Sequence, residues 1–161
     1  MIVSNSTPLI ALSRINRLGL LKEYFTGIYI PREVYREVVE YGGDLAGAKE
    51  VKDAGWIKIG KTKDNLGVEI LMRSVDRGEA EAIILGKENN ADLLLIDDKE
   101  GREIAEGLGV KISGTLGVLL LAAKDNKINL KDSLDNLIAS GFRLSKEEYD
   151  KLVRGAAEGH R

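Results

Sequence analysis

The sequence contains no cysteine and a single histidine, His160, among its 161 residues. The lack of cysteine excludes a disulfide scaffold, a thiol nucleophile and zinc sites with cysteine ligands. With one histidine close to the chain end, histidine-cluster metal sites and Ser-His-Asp catalysis are also disfavoured. The groups left for chemistry are therefore oxygen groups: carboxylates, hydroxyls, amides and the backbone.

Long apolar runs and an excess of basic charge are missing as well. The longest apolar stretch, residues 118–123, is far shorter than the roughly 20 residues of a membrane-spanning helix, and the first residues lack the pattern of a signal peptide. We therefore expect a cytoplasmic protein with no membrane partner. The sequence has 24 Lys and Arg residues against 26 Asp and Glu residues, so it lacks the excess of positive charge typical of a strong duplex DNA binder. A charged fraction of 31% without any glutamine suggests a thermophilic source.

Short apolar segments alternate with helical segments along the chain. The segment at 93–96 is apolar throughout, which is typical of a parallel strand covered on both faces. The first helix is predicted to begin with Thr7 as its N-cap and Pro8 at its first position. The predicted strands are 2–4, 28–30, 56–59, 93–96 and 110–112. The other predicted helices are 18–25, one from Pro31, 44–54, 78–87, 101–108, 116–124, 130–139 and 145–156. This alternation predicts a single domain over residues 1–161, an α/β three-layer sandwich with helices on both faces of a parallel sheet.

Polar residues cluster where the predicted strands end, and that edge of a parallel sheet is where ligands bind. The residues expected near this edge are Asn5, Ser6, Glu37, Glu79, Glu81, Asp97, Asp98 and Thr115. Carboxylates gathered there repel one another and raise their own pKa values unless a divalent cation neutralises them. Oxygen ligands suit Mg²⁺ or Mn²⁺, and Mg²⁺ is commonly completed by substrate phosphate. Phosphodiester hydrolysis is the chemistry that follows most naturally.

The spacing of the acids restricts which of them can meet at one point. Glu79 and Glu81 are two apart on a helix and point in different directions. Asp97 and Asp98 face opposite sides if the chain is extended. We therefore expect at most one acid of each pair to be a direct ligand. Asp97 also has a structural alternative as the N-cap of the next helix, with Glu100 completing a capping box.

Several segments resemble motifs of the PIN-domain family, and the resemblance runs through nearly the whole chain. Residues 5–10 (NSTPLI) are similar to the family's opening D-x-S/T-P-L-I segment, and residues 31–38 (PREVYREV) to its second motif. Residues 78–83 (GEAEAI) and 94–98 (LLIDD) resemble its third and fourth acidic positions. Residues 114–119 (GTLGVL) are similar to the closing motif of a prokaryotic subgroup of predicted nucleic-acid-binding proteins.

This resemblance implies a parallel sheet of order 3-2-1-4-5 and a metal-dependent ribonuclease that uses Mg²⁺ or Mn²⁺ to cleave single-stranded RNA. Many relatives are VapC-like toxins of toxin–antitoxin pairs, so an antitoxin and a second copy of the chain are implied partners. The family's acidic site carries over to Glu37, to Glu79 or Glu81, and to Asp97 or Asp98. Asp98 is favoured over Asp97, because Asp98-Lys99 resembles the family's final D-K step. The implied metal ligands are Asn5, Glu37, Asp97 and Asp98.

Contacts to the substrate are expected from polar and basic side chains around these acids. Ser6 and Thr115 are the polar candidates. The basic candidates lie on the first three predicted helices and are Arg14, Arg17, Lys22, Arg32 and Arg36. Each of these basic residues has the alternative of being a solvated surface charge.

Asn5 is the one departure from the family pattern, because the first acidic position holds an amide. An amide oxygen still binds a metal or a water, but the lost negative charge weakens Mg²⁺ binding. The structural alternative for Asn5 is a turn in which its side chain bonds the backbone two residues on. The departure supports a second hypothesis, a catalytically weak or inert nucleic-acid-binding or protein-interaction module on the same fold.

Overall fold

Five parallel strands form one sheet in the order β3-β2-β1-β4-β5. The computed structural model describes residues 1–159, so His160 lies outside the described part of the chain. The strands are β1 Ile2–Ser4, β2 Ile28–Pro31, β3 Ile57–Gly60, β4 Leu93–Leu95 and β5 Ile112–Ser113. The order is the one that the family resemblance implies, and the expected parallel sheet is confirmed.

Helices flank both faces of the sheet. They are α1 Ser6–Arg14, α2 Gly19–Phe25, α3 Arg32–Tyr35, α4 Ala48–Asp53, α5 Asn65–Leu71, α6 Arg77–Glu88, α7 Lys99–Gly107, α8 Thr115–Lys124, α9 Leu130–Ala139 and α10 Lys146–Gly159. A π-helical turn, Arg36–Glu40, continues α3. Within residues 1–159, no helix combines the length and apolar character needed to cross a membrane.

The central strand β1 is buried between two helical layers. It pairs with β2 on one side through Val3 and Tyr29, and with β4 on the other, where Ser4 is opposite Leu95. Successive residues of β4 pack on opposite faces of the sheet. Leu94 packs with α6 and α7, whereas Leu95 packs with α1, α2, α8 and α9. This burial on both faces explains why the strand is apolar throughout instead of alternating.

One local prediction is wrong, and one local feature is not predicted. Helix α1 begins at Ser6, with Asn5 in the extended N-cap position, so Thr7 is not the cap. The helix starts there because the chain leaves the sheet at Ser4 and Leu95 still holds the Asn5 N–H, at 2.9 Å. In the helical segment that follows Pro31, the Tyr41 N–H donates to the carbonyl of Arg36 and so adds a residue to the turn. Periodicity does not predict this π-helical turn.

Helix α5 is absent from the sequence prediction. Its start is capped by Asp64, whose Oδ1 accepts from the Gly67 N–H at 2.9 Å. Val68 packs against Ala80 and Ile84 of α6, while Leu66 and Ile70 are exposed. Because the exposed residues are as apolar as the buried one, the sequence lacks the polar face that marks a surface helix.

Burial of β4 on both faces predicts the cost of truncating its side chains. Leu94→Ala and Leu95→Ala should each lower the free energy of unfolding by about 2–5 kcal/mol, because both side chains are fully buried. Leu66→Ala, at a position 67% exposed, should change it by less than about 0.5 kcal/mol. Urea unfolding measures all three, and a small effect at either β4 position would contradict the two-layer core.

Candidate active site

A cleft of about 480 Å³ opens at the carboxyl edge of the sheet. Its lining combines three acidic residues, Glu79, Asp97 and Asp98, with two basic residues, Arg14 and Arg143. The acids come from the start of α6 and the end of β4, and the arginines from α1 and the segment after α9. The topology therefore joins groups that are far apart in the chain.

Glu37 lies beside this cleft and is held by two features of its surroundings. The Ser6 hydroxyl donates to Oε2 of Glu37 at 2.6 Å. Gly78 leaves room for the carboxyl group, because a Cβ on Gly78 would overlap Oε1 of Glu37. Burial raises the pKa of Glu37, and the Ser6 hydrogen bond offsets part of that rise. The carboxylates of Asp76, Glu33 and Glu81 raise this pKa further.

The structure separates Glu79 from Glu81. Glu79 lines the cleft, and its pKa is raised to about 7, first by burial and then by Asp76, Asp98 and Glu37. Glu81 is buried and paired: its Oε2 lies 2.8 Å from Nε of Arg77, and its Oε1 accepts from the Glu33 N–H at 3.4 Å. Of the two glutamates, Glu81 has its charge offset by Arg77, and Glu79 is the one that lines the cleft.

Asp97 and Asp98 also have different surroundings. Both oxygens of Asp97 accept from Thr115, one from the backbone N–H at 2.8 Å and one from the hydroxyl at 2.6 Å. Burial raises the pKa of Asp97, and these two hydrogen bonds partly oppose the shift. Asp98 caps α7, since its Oδ2 accepts from the Gly101 N–H at 2.8 Å. The prediction that Asp97 caps this helix is therefore wrong, because Thr115 binds Asp97 across the sheet edge.

Two hydroxyls expected to contact substrate instead bind acids. Ser6 donates to Glu37, and Thr115, which is fully buried, donates to Asp97. Asn5 is 3% exposed and its side chain makes no capping hydrogen bond to α1, so the predicted alternative of a local turn is wrong. Asn5 stands at the end of β1, between the strand ends that lead to Glu37 and Asp98.

The basic candidates are distributed unevenly. Arg14 lines the cleft and donates to the Ser140 carbonyl at 3.3 Å. Arg36 is held by Glu33, Glu40 and the Tyr41 hydroxyl. Arg17, Lys22 and Arg32 are exposed and do not line the cleft.

Sequence reasoning missed Phe142 and Arg143, which line the cleft from the segment between α9 and α10. It also missed Asp76, which caps α6 through the Glu79 N–H at 2.8 Å and adds to the negative charge. A glycine after an amphipathic helix, such as Gly141, signals a helix end. That signal locates the loop in the sequence but not its place beside the acids.

Comparison with protein families agrees with this geometry. The family model described as a PIN domain matches residues 1–158. The chain belongs to the PIN-domain family. A search of curated proteins and a search of solved structures returned no match. PIN domains have a nuclease-like fold and generally bind nucleic acids, so the acidic cleft of this PIN domain lies on a scaffold suited to such ligands.

The donor set of this PIN domain fits a divalent cation of the Mg²⁺ type. Among residues 1–159, no three acidic side chains are grouped closely enough to hold a metal by themselves. Mg²⁺ does not need such a cage, since it is usually held by one or two carboxylates together with waters and substrate phosphates. All candidate donors are oxygens, and glycines at 78 and 114 leave space beside the carboxyl groups of Glu37 and Asp97.

The raised pKa of Glu79 predicts a pH-dependent cost in stability. Above its ordinary value of 4.5 the unfolded carboxyl loses its proton, whereas the folded one keeps it until about pH 7. Stability is therefore lost as pH rises through this window, and Glu79→Gln should avoid that loss. Allowing for solvent screening of a half-exposed group, we expect a gain of about 1 kcal/mol, or 2–4 °C in Tm, at pH 8.

The gain should vanish at about pH 3.5, below the ordinary pKa of the carboxyl, where both states hold the proton. Thermal unfolding from about pH 3.5 to pH 8 in the presence of EDTA measures it. A Gln variant with the same advantage at both ends of this range would show that ionisation of Glu79 is not the source.

The space at Gly78 predicts coupling between two substitutions. Ser6→Ala should cost about 1.5 kcal/mol or more, because it removes a hydrogen bond to a carboxylate. In a Gly78→Ala background Glu37 is already displaced from Ser6, so the further cost should fall below about 0.5 kcal/mol.

Gly86→Ala is the matched control background on the same helix. A Cβ there would make an ordinary contact, 3.6 Å from Val110 Cγ1, and should leave the cost of Ser6→Ala unchanged. Urea unfolding of the single and double variants completes the cycle. Additive costs in the Gly78→Ala background would refute the described arrangement of Glu37.

Proposed function

We propose that this PIN domain is a Mg²⁺- or Mn²⁺-dependent endoribonuclease that hydrolyses phosphodiester bonds of single-stranded RNA. The observation that carries the proposal is that one cleft is lined both by acidic residues and by arginines. Glu79 and Asp98 supply negative charge there, and Arg14 and Arg143 supply positive charge. The cellular role that the resemblance implies is the toxin of a toxin–antitoxin pair.

The roles follow from what each side chain contacts. Glu79 and Asp98 would hold the cation, with Glu37 and Asn5 beside them. A bound Mg²⁺ would supply Lewis-acid polarisation of the phosphate and a more acidic attacking water. Arg14 and Arg143 bind the phosphate oxygens and orient the backbone of the substrate.

Arginine pairing elsewhere keeps the negative charge concentrated in the cleft. Arg77 neutralises Glu81, and Arg36 lies 3.4 Å from a carboxylate oxygen of Glu33, whereas Glu37 and Glu79 make no such ion pair with any residue of the described range 1–159. Burial and neighbouring carboxylates raise the pKa values of Glu37 and Glu79, and a bound cation would lower them. This electrostatic arrangement supports metal binding by Glu79 and Asp98.

Asp98→Asn tests the proposal without removing the helix cap, because asparagine also caps well. Purified wild-type protein should cleave single-stranded RNA in Mn²⁺, and Mn²⁺ should raise its Tm, since a ligand of the native state stabilises it. Asp98→Asn should lose both effects, with cleavage reduced about 100-fold or more.

Asp64→Asn is the matched control, because Asp64 caps α5 in the same way and lies outside the cleft. It should cleave like the wild type. Absence of both Mn²⁺-dependent cleavage and Mn²⁺ stabilisation in the wild type would refute the proposal, as would undiminished cleavage in Asp98→Asn.

The second candidate function is a catalytically weak or inert nucleic-acid-binding module on the same fold. Asn5 favours it, because an amide occupies the first acidic position of the family. Asn5→Asp should raise the affinity for Mn²⁺ about tenfold, which corresponds to about 1.4 kcal/mol, and should raise cleavage in proportion. Titration of the Tm with Mn²⁺ and a cleavage assay measure both. A variant that binds Mn²⁺ no more tightly than the wild type would show that the amide does not weaken the site.

A further inference from the structure

The segment after α9 carries an aromatic and a basic side chain into the cleft, and the helix end holds both in place. The Gly141 N–H donates to the Ile138 carbonyl at 3.0 Å, and the Phe142 N–H donates to the Leu137 carbonyl at 3.1 Å. Gly141 has a φ of +104°. These bonds form a Schellman motif, in which the residue after the glycine packs back against the helix. Phe142 occupies that position, so its backbone is fixed by the end of α9.

Phe142 is shared between the core and two cavities. It packs against the main hydrophobic cluster, which includes Leu137, and is itself only partly buried. It lines the 480 Å³ cleft together with Asp97, and the same two residues line a neighbouring cavity of about 620 Å³. A ring that is anchored on one side and accessible on the other is a rigid aromatic surface, which binds a flat partner at little entropic cost.

The size and charge of the cleft indicate what that partner is. A volume of 480 Å³ lies in the range of about 300–1,000 Å³ that suits a single small-molecule unit. Arg143 directly follows Phe142, and both line the cleft with Arg14, so two basic residues that could bind phosphate share the cleft with the ring. An aromatic surface next to phosphate-binding arginines matches one nucleotide whose base is free to stack.

We propose that Phe142 forms a base-stacking subsite for one unpaired nucleotide, with Arg14 and Arg143 binding the phosphates that flank it. The subsite deepens the proposed function and rests on it, because it states how the cleft selects single strands. A paired base in a duplex is stacked between its neighbours and offers no free face to Phe142. Selection of single strands then comes from the fold of the segment after α9 and not from the acids.

Equilibrium binding to two fluorescent probes tests the subsite. One probe is a short oligouridine, and the other is a ribose-phosphate oligomer of equal length without bases. Fluorescence anisotropy is recorded at low ionic strength with EDTA, so that cleavage does not interfere. The wild type should bind the oligouridine about 5- to 100-fold more tightly than the base-free probe.

Phe142→Leu keeps an apolar side chain on the core but removes the aromatic face. It should therefore bind the oligouridine and the base-free probe with about equal affinity. Phe142→Tyr should retain the preference. Phe25→Leu is the matched control: Phe25 is a partly buried aromatic on the same cluster and does not line the cleft. It should retain the preference as well. Arg143→Ala should weaken binding of both probes equally, because it removes a phosphate contact.

The outcomes separate this inference from the proposed function. An unchanged preference in Phe142→Leu, or no preference in the wild type, would overturn the subsite even if Mn²⁺-dependent cleavage is present. A preference that Phe142→Leu abolishes and Phe142→Tyr retains would support the subsite. That result would stand if no variant cleaves RNA, and the nuclease proposal alone would then fail.

Discussion

Unbalanced negative charge at the carboxyl edge of the sheet is the constraint on which the rest of this site depends. Glu37 and Glu79 are half-buried near Asp76, and burial together with repulsion from Asp76 and other neighbouring carboxylates raises the pKa of both. Two neighbouring acids, Glu81 and Glu33, have their charge offset by an arginine, since Arg77 pairs with Glu81 and Arg36 with Glu33. Charge is therefore concentrated in the cleft, where a cation would stabilise it, and this concentration lowers the stability of the fold.

The scaffold maintains this arrangement through hydroxyls and glycines. Ser6 and Thr115 each donate to one carboxylate, and glycines at 78 and 114 leave the volume that Glu37 and Asp97 occupy. The hydroxyls hold their partners in one orientation despite the repulsion. Both hydroxyls thus position acids, which is a different role from the substrate contact that their polarity alone suggests.

Much of the site was predictable from the chain because strand ends are visible in the sequence. Apolar runs such as 93–96 indicate parallel strands, and the carboxyl ends of parallel strands share one edge of the sheet. Asp98 and Glu79 could be placed near that edge for this reason. The choice between Glu79 and Glu81 could not be made, because it depends on Arg77 and on the backbone of Glu33. Helix α5 was missed because its exposed residues Leu66 and Ile70 are apolar.

The sequence by itself determined the class of fold, the restriction of the candidate ligands to oxygen groups and the strand ends at which the acids gather. These properties depend on composition and on periodicity over a few residues, which act within one element. The tertiary structure alone decided that Asp97 binds Thr115 while Asp98 caps α7, and that Phe142 and Arg143 line the cleft with Glu79. Such contacts join elements distant in the chain, so no local pattern encodes them; the packing of the helical layers on the sheet does.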